Sequence, residues 1–386
     1  MSESQNLFRA AERLHAYLLG RHFGGGVLRG PDVGVRFNLR FWRFLKSALD
    51  FVPWGDDYLF LQAQGYWILS NWMLFDGTGN RRYRELALES SEAALRLQSP
   101  AGAWPYPLPE RKNLIATVEG NWAALGLVAT NGREPRKQFL AGASRWYDFL
   151  VNRIGFQPHS PGKAVNYFDK PRGKIPNNSV EAAWLFLRLW KATGDDRYLE
   201  HLSPLLDFVA AVQLPSGELP YIVEGPWEKA RDHYLCFQYN AFEFLKLAWS
   251  RALRPGTRAD SILPGLAAFL KRGVRPSGAC AADCARAGRG GPEVDYYTAV
   301  LAAALWEAAR LGLVEPELSQ RCYARLLARQ RADGGFDFST GDYGFLSDRR
   351  SYPRALVMTL FHLLYGCCAG DGFSSPGNRG PGTGNR

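Results

Sequence analysis

A short pattern recurs along the chain and narrows what it can fold into. An aromatic and an aliphatic residue are followed by an anchor residue, and a glycine comes four positions after the anchor. Phe208-Val209 lead to Gln213 and Gly217, Tyr17-Leu18 to His22 and Gly26, and Phe269-Leu270 to Val274 and Gly278. Gln98, Gly102 and Trp104 form a copy with an aromatic end, as do Gln330, Gly334 and Phe336. In a sixth copy Phe149-Leu150 lead to Ile154, and the glycine is delayed to Gly162. The anchors return about every 58 residues, which is room for two helices and their connections. The first interval is longer, and its extra residues fall at 29–50, read as a loop insertion.

Between the anchors lie six segments with helical periodicity: 57–75, 113–130, 177–193, 232–251, 294–311 and 351–365. Most stop at glycine, the residue that closes a helix in a left-handed conformation. Trp67, Trp122 and Trp184 each precede such a glycine (Gly77, Gly132, Gly194) by the same interval, which predicts three helices in register. Only 164–168 and 219–223 resemble strands. The expected fold class is all-α. Six helical hairpins in a row form an open arc or close on themselves, and closure removes the apolar ends that an arc must cap. The reading is an (α/α)6 toroid in one domain over 1–369, its second helices lining the centre. The polar, glycine-rich stretch 370–386 is read as a disordered tail.

Lys and Arg number 47 against 37 Asp and Glu, a net charge of +10 that favours an anionic partner, a small molecule or a glycan. No basic stripe interleaved with aromatics points to a specific nucleic-acid partner. The N-terminal residues are polar and acidic, and no apolar run reaches the length of a membrane span, so a cytoplasmic protein is expected. The six cysteines are scattered, which predicts reduced thiols. Cys280 and Cys284 are four apart but read as a loop without nearby histidines, so neither a metal nor a cofactor is expected. Gly24-Gly25-Gly26 follows a helix and lacks the Gly-Lys-Ser/Thr ending of a phosphate loop.

In a closed ring the N-termini of the central helices face one mouth, where their dipoles favour anions. Three positions before the tryptophans stand Gln64, Glu119 and Glu181, sharing a helix face with Trp67 and Trp122. Glu119 and Glu181 are candidates for a general acid and base. Arg231-Asp232-His233-Tyr234 supplies a cation, a base and a donor at one helix start, the types that proton abstraction beside a carboxylate requires. Asp232 also reads as a helix cap. Asp57-Tyr58, Asp295-Tyr296, Arg350 with Tyr352, and Tyr239 join acid or cation to aromatic at other starts. Of Asn177 and Asn178, one reads as a cap and the other, Asn178, as facing a ligand.

The Gln-x3-Gly-x-Trp/Phe copies resemble the repeats of the squalene and hopene cyclase and protein prenyltransferase superfamily. Similar Gly-Gly-Trp turns occur in six-hairpin glycosidases, polysaccharide lyases and uronosyl epimerases. The cyclase likeness implies an Asp-x-Asp-Asp cluster, for which Glu293-Val-Asp295 lacks the paired aspartates. The prenyltransferase likeness implies an Asp-x-Cys zinc pair, whereas Asp283 and Cys284 are adjacent. The segments 174–184 and 190–198 resemble the hairpin joints of six-hairpin sugar enzymes, and 232–240 is similar to the Tyr/His-rich helix start of uronosyl C5-epimerases. These likenesses imply acid/base chemistry on an anionic glycan, of the epimerase, lyase or hydrolase type, in making or modifying a polysaccharide. The alternatives are a terpenoid cyclase-like enzyme on an isoprenoid diphosphate and a binding scaffold without catalysis.

Overall fold

The structure, a computed structural model, describes residues 2–33, 49, 56–171, 173–226, 228–284, 291–342 and 346–368. Most of the expected insertion over 29–50 and all of the tail over 370–386 lie outside these residues.

Twelve helices run through the described residues. They are α1 (Glu3–Arg21), α2 (Leu61–Thr78), α3 (Arg81–Leu97), α4 (Thr117–Arg133), α5 (Lys137–Phe149) and α6 (Pro176–Thr193) in the first half. The second half holds α7 (Leu202–Ala211), α8 (Cys236–Leu253), α9 (Ala259–Lys271), α10 (Asp295–Arg310), α11 (Pro316–Arg329) and α12 (Pro353–Cys368). The even-numbered helices form a closed inner ring: α2 packs on α4, α4 on α6, α6 on α8, α8 on α10, α10 on α12, and α12 back on α2. Each outer helix packs on an inner one, and α1 is covered by α12. This is the (α/α)6 toroid.

The tight hairpins run from inner to outer helix, the reverse of the expected pairing. Only Gly79-Asn80 separate α2 from α3, whereas residues 98–116 separate α3 from α4. The long connections all enter the N-terminal ends of the inner helices. The inner helices are buried nearly all round, as a helix sandwiched between two layers must be; in α2 every residue from Ala63 to Leu74 is buried. The outer helices α3 and α5 keep a polar face, their buried residues confined to one side.

The repeat has a mechanical role. Gln213 Nε2 donates to Gly217 O at 2.9 Å in its own turn and to Ile262 O at 3.0 Å on the next outer helix. Gln98 does the same with Gly102 O and Gly142 O. Gln330 binds Gly334 O and Ala10 O, joining the last outer helix to the first. The glycine is required twice over. Gly217 has φ 86°, and a Cβ there would lie 2.0 Å from Gly265 O. The delayed Gly162 also abuts the backbone of the next outer helix, at Pro204 O.

The starts and ends of the inner helices differ from the sequence reading. All but α6 begin later, and Gly77 and Gly132 lie within α2 and α4. Gly79, at φ 69°, is the left-handed stop of α2, and Gly194, at φ 71°, that of α6. Neither Asn177 nor Asn178 is the cap of α6, because Pro176 occupies the first helical position behind Ile175. Asp232 does not cap α8, which begins at Cys236 after Leu235. The segment 219–223 makes only isolated bridges, and 163–165 pairs with 156–158 in a short hairpin. A further small sheet joins 293–294, 339–342 and 346–348. Among the described residues no helix is long and apolar enough to cross a membrane.

Candidate active site

A cleft of about 130 Å³ opens at the centre of the ring. Every inner helix contributes the second or third residue of its first turn to the wall: Gln62, Val118, Asn177, Gln238, Tyr296 and Arg354. Six N-termini therefore converge on one space, and their unsatisfied N–H groups give it a positive field. Five tyrosines, Tyr66, Tyr167, Tyr221, Tyr239 and Tyr296, supply most of its aromatic surface. Burial pushes the Tyr296 hydroxyl up to about 12 and raises that of Tyr239 well above its ordinary value, so both are neutral donors across the usual pH range.

Two ion pairs sit in this wall. On the floor, Lys246 Nζ lies 2.6 Å from Glu181 Oε2, with side chains 3% and 1% exposed. The same oxygen accepts from Trp122 Nε1 at 2.8 Å, and Lys246 also reaches Asn177 Oδ1 at 3.3 Å. Near the mouth, Arg354 holds Asp32 through two bonds of 2.7 Å and donates to Gln62 Oε1 at 3.3 Å. The Arg354 guanidinium lies over the Phe60 ring, 4.2 Å from its centroid. The cleft is thus charge-balanced by its own pairs. Asn178 Nδ2 and Gln238 Oε1 are buried without a hydrogen-bond partner among the described residues.

Of the residues singled out in the sequence, Glu181, Asn178, Tyr239 and Tyr296 line the cleft. Trp122 lies behind the floor, stacked on Tyr66 at 3.7 Å. Glu119 is wholly buried outside the lining, where its Oε2 accepts the Gln62 N–H at 3.0 Å and so caps α2 from the neighbouring helix. Burial raises its carboxyl to about 7, against the lowering effects of that N–H and the Arg354 charge. Gln64 turns outward to Leu28, and Trp67 stacks on His15 of α1 at 4.5 Å. These positions differ in depth because the helices begin at different distances from their tryptophans. Trp122 is the sixth residue of its helix and Trp184 the ninth.

The other candidates surround the cleft. Arg231 stacks over Tyr234 at 3.6 Å, and Tyr234 contacts Tyr221 at 4.8 Å, so this run backs the tyrosine wall. Asp232 and His233 are exposed, and His233 Nδ1 lies 2.7 Å from Glu218 Oε2. Asp57 is at the surface, paired with Arg29, and Tyr58 bridges Gly30 through its backbone. Asp295 is buried against Arg329, and burial raises it to about 6 in spite of that partner. Arg350 and Tyr352 line a separate small pocket, where Tyr352 donates to Asp348 Oδ2 at 2.9 Å.

Lys246, Asp32 and Gln62 escaped the sequence reading as site residues, whereas Arg354 stands in the run of arginines read as adding positive charge to the mouth. Lys246 carried a signal: it is a lone cation in the apolar stretch Phe242-Glu-Phe-Leu-Lys-Leu-Ala-Trp249. Asp32 carried none, since its partner is 322 residues away.

Comparison with solved structures returns toroid enzymes. A polysaccharide lyase aligns with a TM-score of 0.66 at 12% identity, covering 94% of this chain and 97% of its own. Cellobiose 2-epimerase from Bacillus thermoamylovorans B4167 aligns at 0.66 and 11%, covering 80% and 88%. A glycosyl hydrolase of family 88 from Bacteroides vulgatus aligns at 0.64 and 12%, covering 94% and 98%. This likeness establishes the six-hairpin toroid. No protein-family profile and no curated protein sequence matches the chain.

Proposed function

We propose that the protein is an enzyme acting on a carbohydrate, with acid/base chemistry centred on Glu181. The observation that carries the reading is the composition of the cleft. Tyrosine faces offer stacking for a sugar ring, and the amides of Gln62, Asn177, Asn178 and Gln238 offer donors and acceptors for its hydroxyls. A wholly apolar isoprenoid cavity would leave those amides without partners. The similar folds named above are those of a lyase, an epimerase and a glycosyl hydrolase, which supports the same class.

Within this reading Glu181 accepts a proton from the bound sugar. Lys246 and Trp122 fix its carboxylate on one oxygen, leaving Oε1 with the longer contact to Asn121 at 3.4 Å. The Tyr239 or Tyr296 hydroxyl, kept neutral by burial, donates on the opposite side. An acidic group on the sugar is oriented by the six helix ends. Asp232, His233 and Tyr234 act at one remove, through the wall formed by Tyr221 and Tyr239.

The test is incubation with neutral and uronic-acid oligosaccharides in deuterated water, followed by mass spectrometry and NMR. The expected result is turnover or deuterium incorporation, lowered about 10²- to 10⁴-fold by Glu181→Gln with ligand binding retained. Absence of both binding and turnover across the panel, or an unaffected Glu181→Gln variant, overturns the proposal.

A further inference from the structure

Outside the cleft lining, the metal-binding side chains Glu218, His233 and Cys284 meet, and Cys236 touches Cys284. Glu218 follows the repeat glycine Gly217, His233 ends the same long connection, Cys236 is the first residue of α8, and Cys284 lies on the connection before α10. His233 Nδ1 is 2.7 Å from Glu218 Oε2, and Cys284 Sγ is 3.8 Å from the same oxygen. Cys236 Sγ is 3.1 Å from Cys284 Sγ, and both cysteines are free. Donor atoms of Glu218, His233 and Cys284 all lie within 4.8 Å of one another. The partner of Cys284 is thus Cys236 and not Cys280, which is buried elsewhere with its Sγ on Ala281 O.

We infer that Glu218, His233, Cys236 and Cys284 form a tetrahedral zinc site. Two sulfurs with an imidazole and a carboxylate match a borderline-soft ion, and they disfavour calcium or magnesium, which take oxygen ligands. Zinc with bonds of about 2.0 Å to nitrogen and oxygen and about 2.3 Å to sulfur spaces its ligands about 3.3–3.8 Å apart. The His233–Glu218 and Cys236–Cys284 contacts need to open by less than about 1 Å to admit it, and Cys236 must draw in towards Glu218 and His233 to complete the tetrahedron. Binding releases the two thiol protons to solvent, and no electron moves.

The surroundings are already built to aim these groups. Glu218 is fully buried, and its Oε1 accepts the His233 backbone N–H at 3.0 Å, leaving Oε2 for the ion. The chain reaches this geometry through left-handed backbone at His233 (φ 49°) and Leu235 (φ 45°), conformations that side-chain-bearing residues adopt only under constraint. With four protein ligands the site is structural, and what it holds is the cleft wall. Tyr221, Tyr234 and Tyr239 each lie within three residues of a ligand, so the ion ties the tyrosine wall to the connection that precedes α10. This inference stands independently of the reaction assigned to the cleft.

The test uses the full chain, expressed with zinc and purified without chelator or a histidine tag. Elemental analysis is expected to find about one zinc per chain, lost in Cys236→Ser and Cys284→Ser and retained in Cys280→Ser. Because the serine variants could fail to fold, the wild-type apoprotein is also titrated with cobalt(II). A thiolate-to-cobalt charge-transfer band with tetrahedral ligand-field bands is the expected result. A metal-free wild type with no such bands on titration overturns the site. So does a Cys236–Cys284 disulfide found by peptide mapping of chain purified without oxygen, or zinc retained by both folded serine variants.

Discussion

In the outer ring one joint is made repeatedly, whereas three glutamates buried in the inner ring each take a different set of partners. Gln98, Gln213 and Gln330 each bind their own turn and a carbonyl of the next outer helix. Inside, Glu119 caps a neighbouring helix, Glu181 pairs with Lys246, and Glu307 binds Arg310 and Tyr365. The repeat encodes the scaffold, and the cleft is built where the blades depart from it.

The sharpest break of this contrast is Lys246→Met. It strands a buried carboxylate, and urea unfolding should register a loss of about 3–5 kcal/mol, largely recovered when Glu181→Gln is added. A loss below about 1 kcal/mol would mean that the floor pair is no more than another joint. Next, Gly217→Ala imposes a side chain on left-handed backbone facing Gly265 O, and the same assay should show about 2–4 kcal/mol lost.

The glutamines probe whether the outer joints are equivalent. Gln98→Ala, Gln213→Ala and Gln330→Ala should each cost about 1–2 kcal/mol. A distinctly larger value for Gln330 would mark the closing seam as special.

Glu119 adds a pH signature. Its folded carboxyl titrates at about 7 against an ordinary value of 4.5, so the native state holds the proton where the unfolded chain has lost it. Its contribution is full below the unfolded value and is lost as pH rises through the folded one. Glu119→Gln should therefore flatten the decline in stability between about 4.5 and 7 relative to wild type, read from urea midpoints across pH. The smallest effect belongs to the rim: Asp57→Ala removes an exposed pair with Arg29 and should move stability by under about 0.5 kcal/mol in thermal melts.

The architecture was legible because its signal is local and repeated. Gln213 and Gly217 are four residues apart, and the turn they form is the joint itself, so even the delayed Gly162 could be placed. Depth along a helix was not legible in the same way. Glu119 and Glu181 stand at the same interval before a tryptophan, yet the former is the third residue of its helix and the latter the sixth. Only the latter reaches the cleft. Pairings such as Asp32 with Arg354, or Cys236 with Cys284, depend on loops meeting across blades, which no periodicity reports.

The seam between the two ends of the chain bears on how the molecule is born. Gln330 reaches back 320 residues to Ala10, and Ser4 touches the carbonyl of Cys367. During synthesis α1 emerges before every other element of the ring but packs on α12, the last of them to be made. The nascent arc must therefore keep the apolar flank of α1 uncovered until α12 has emerged, a long-range closure that makes this step slow and exposed to misassembly.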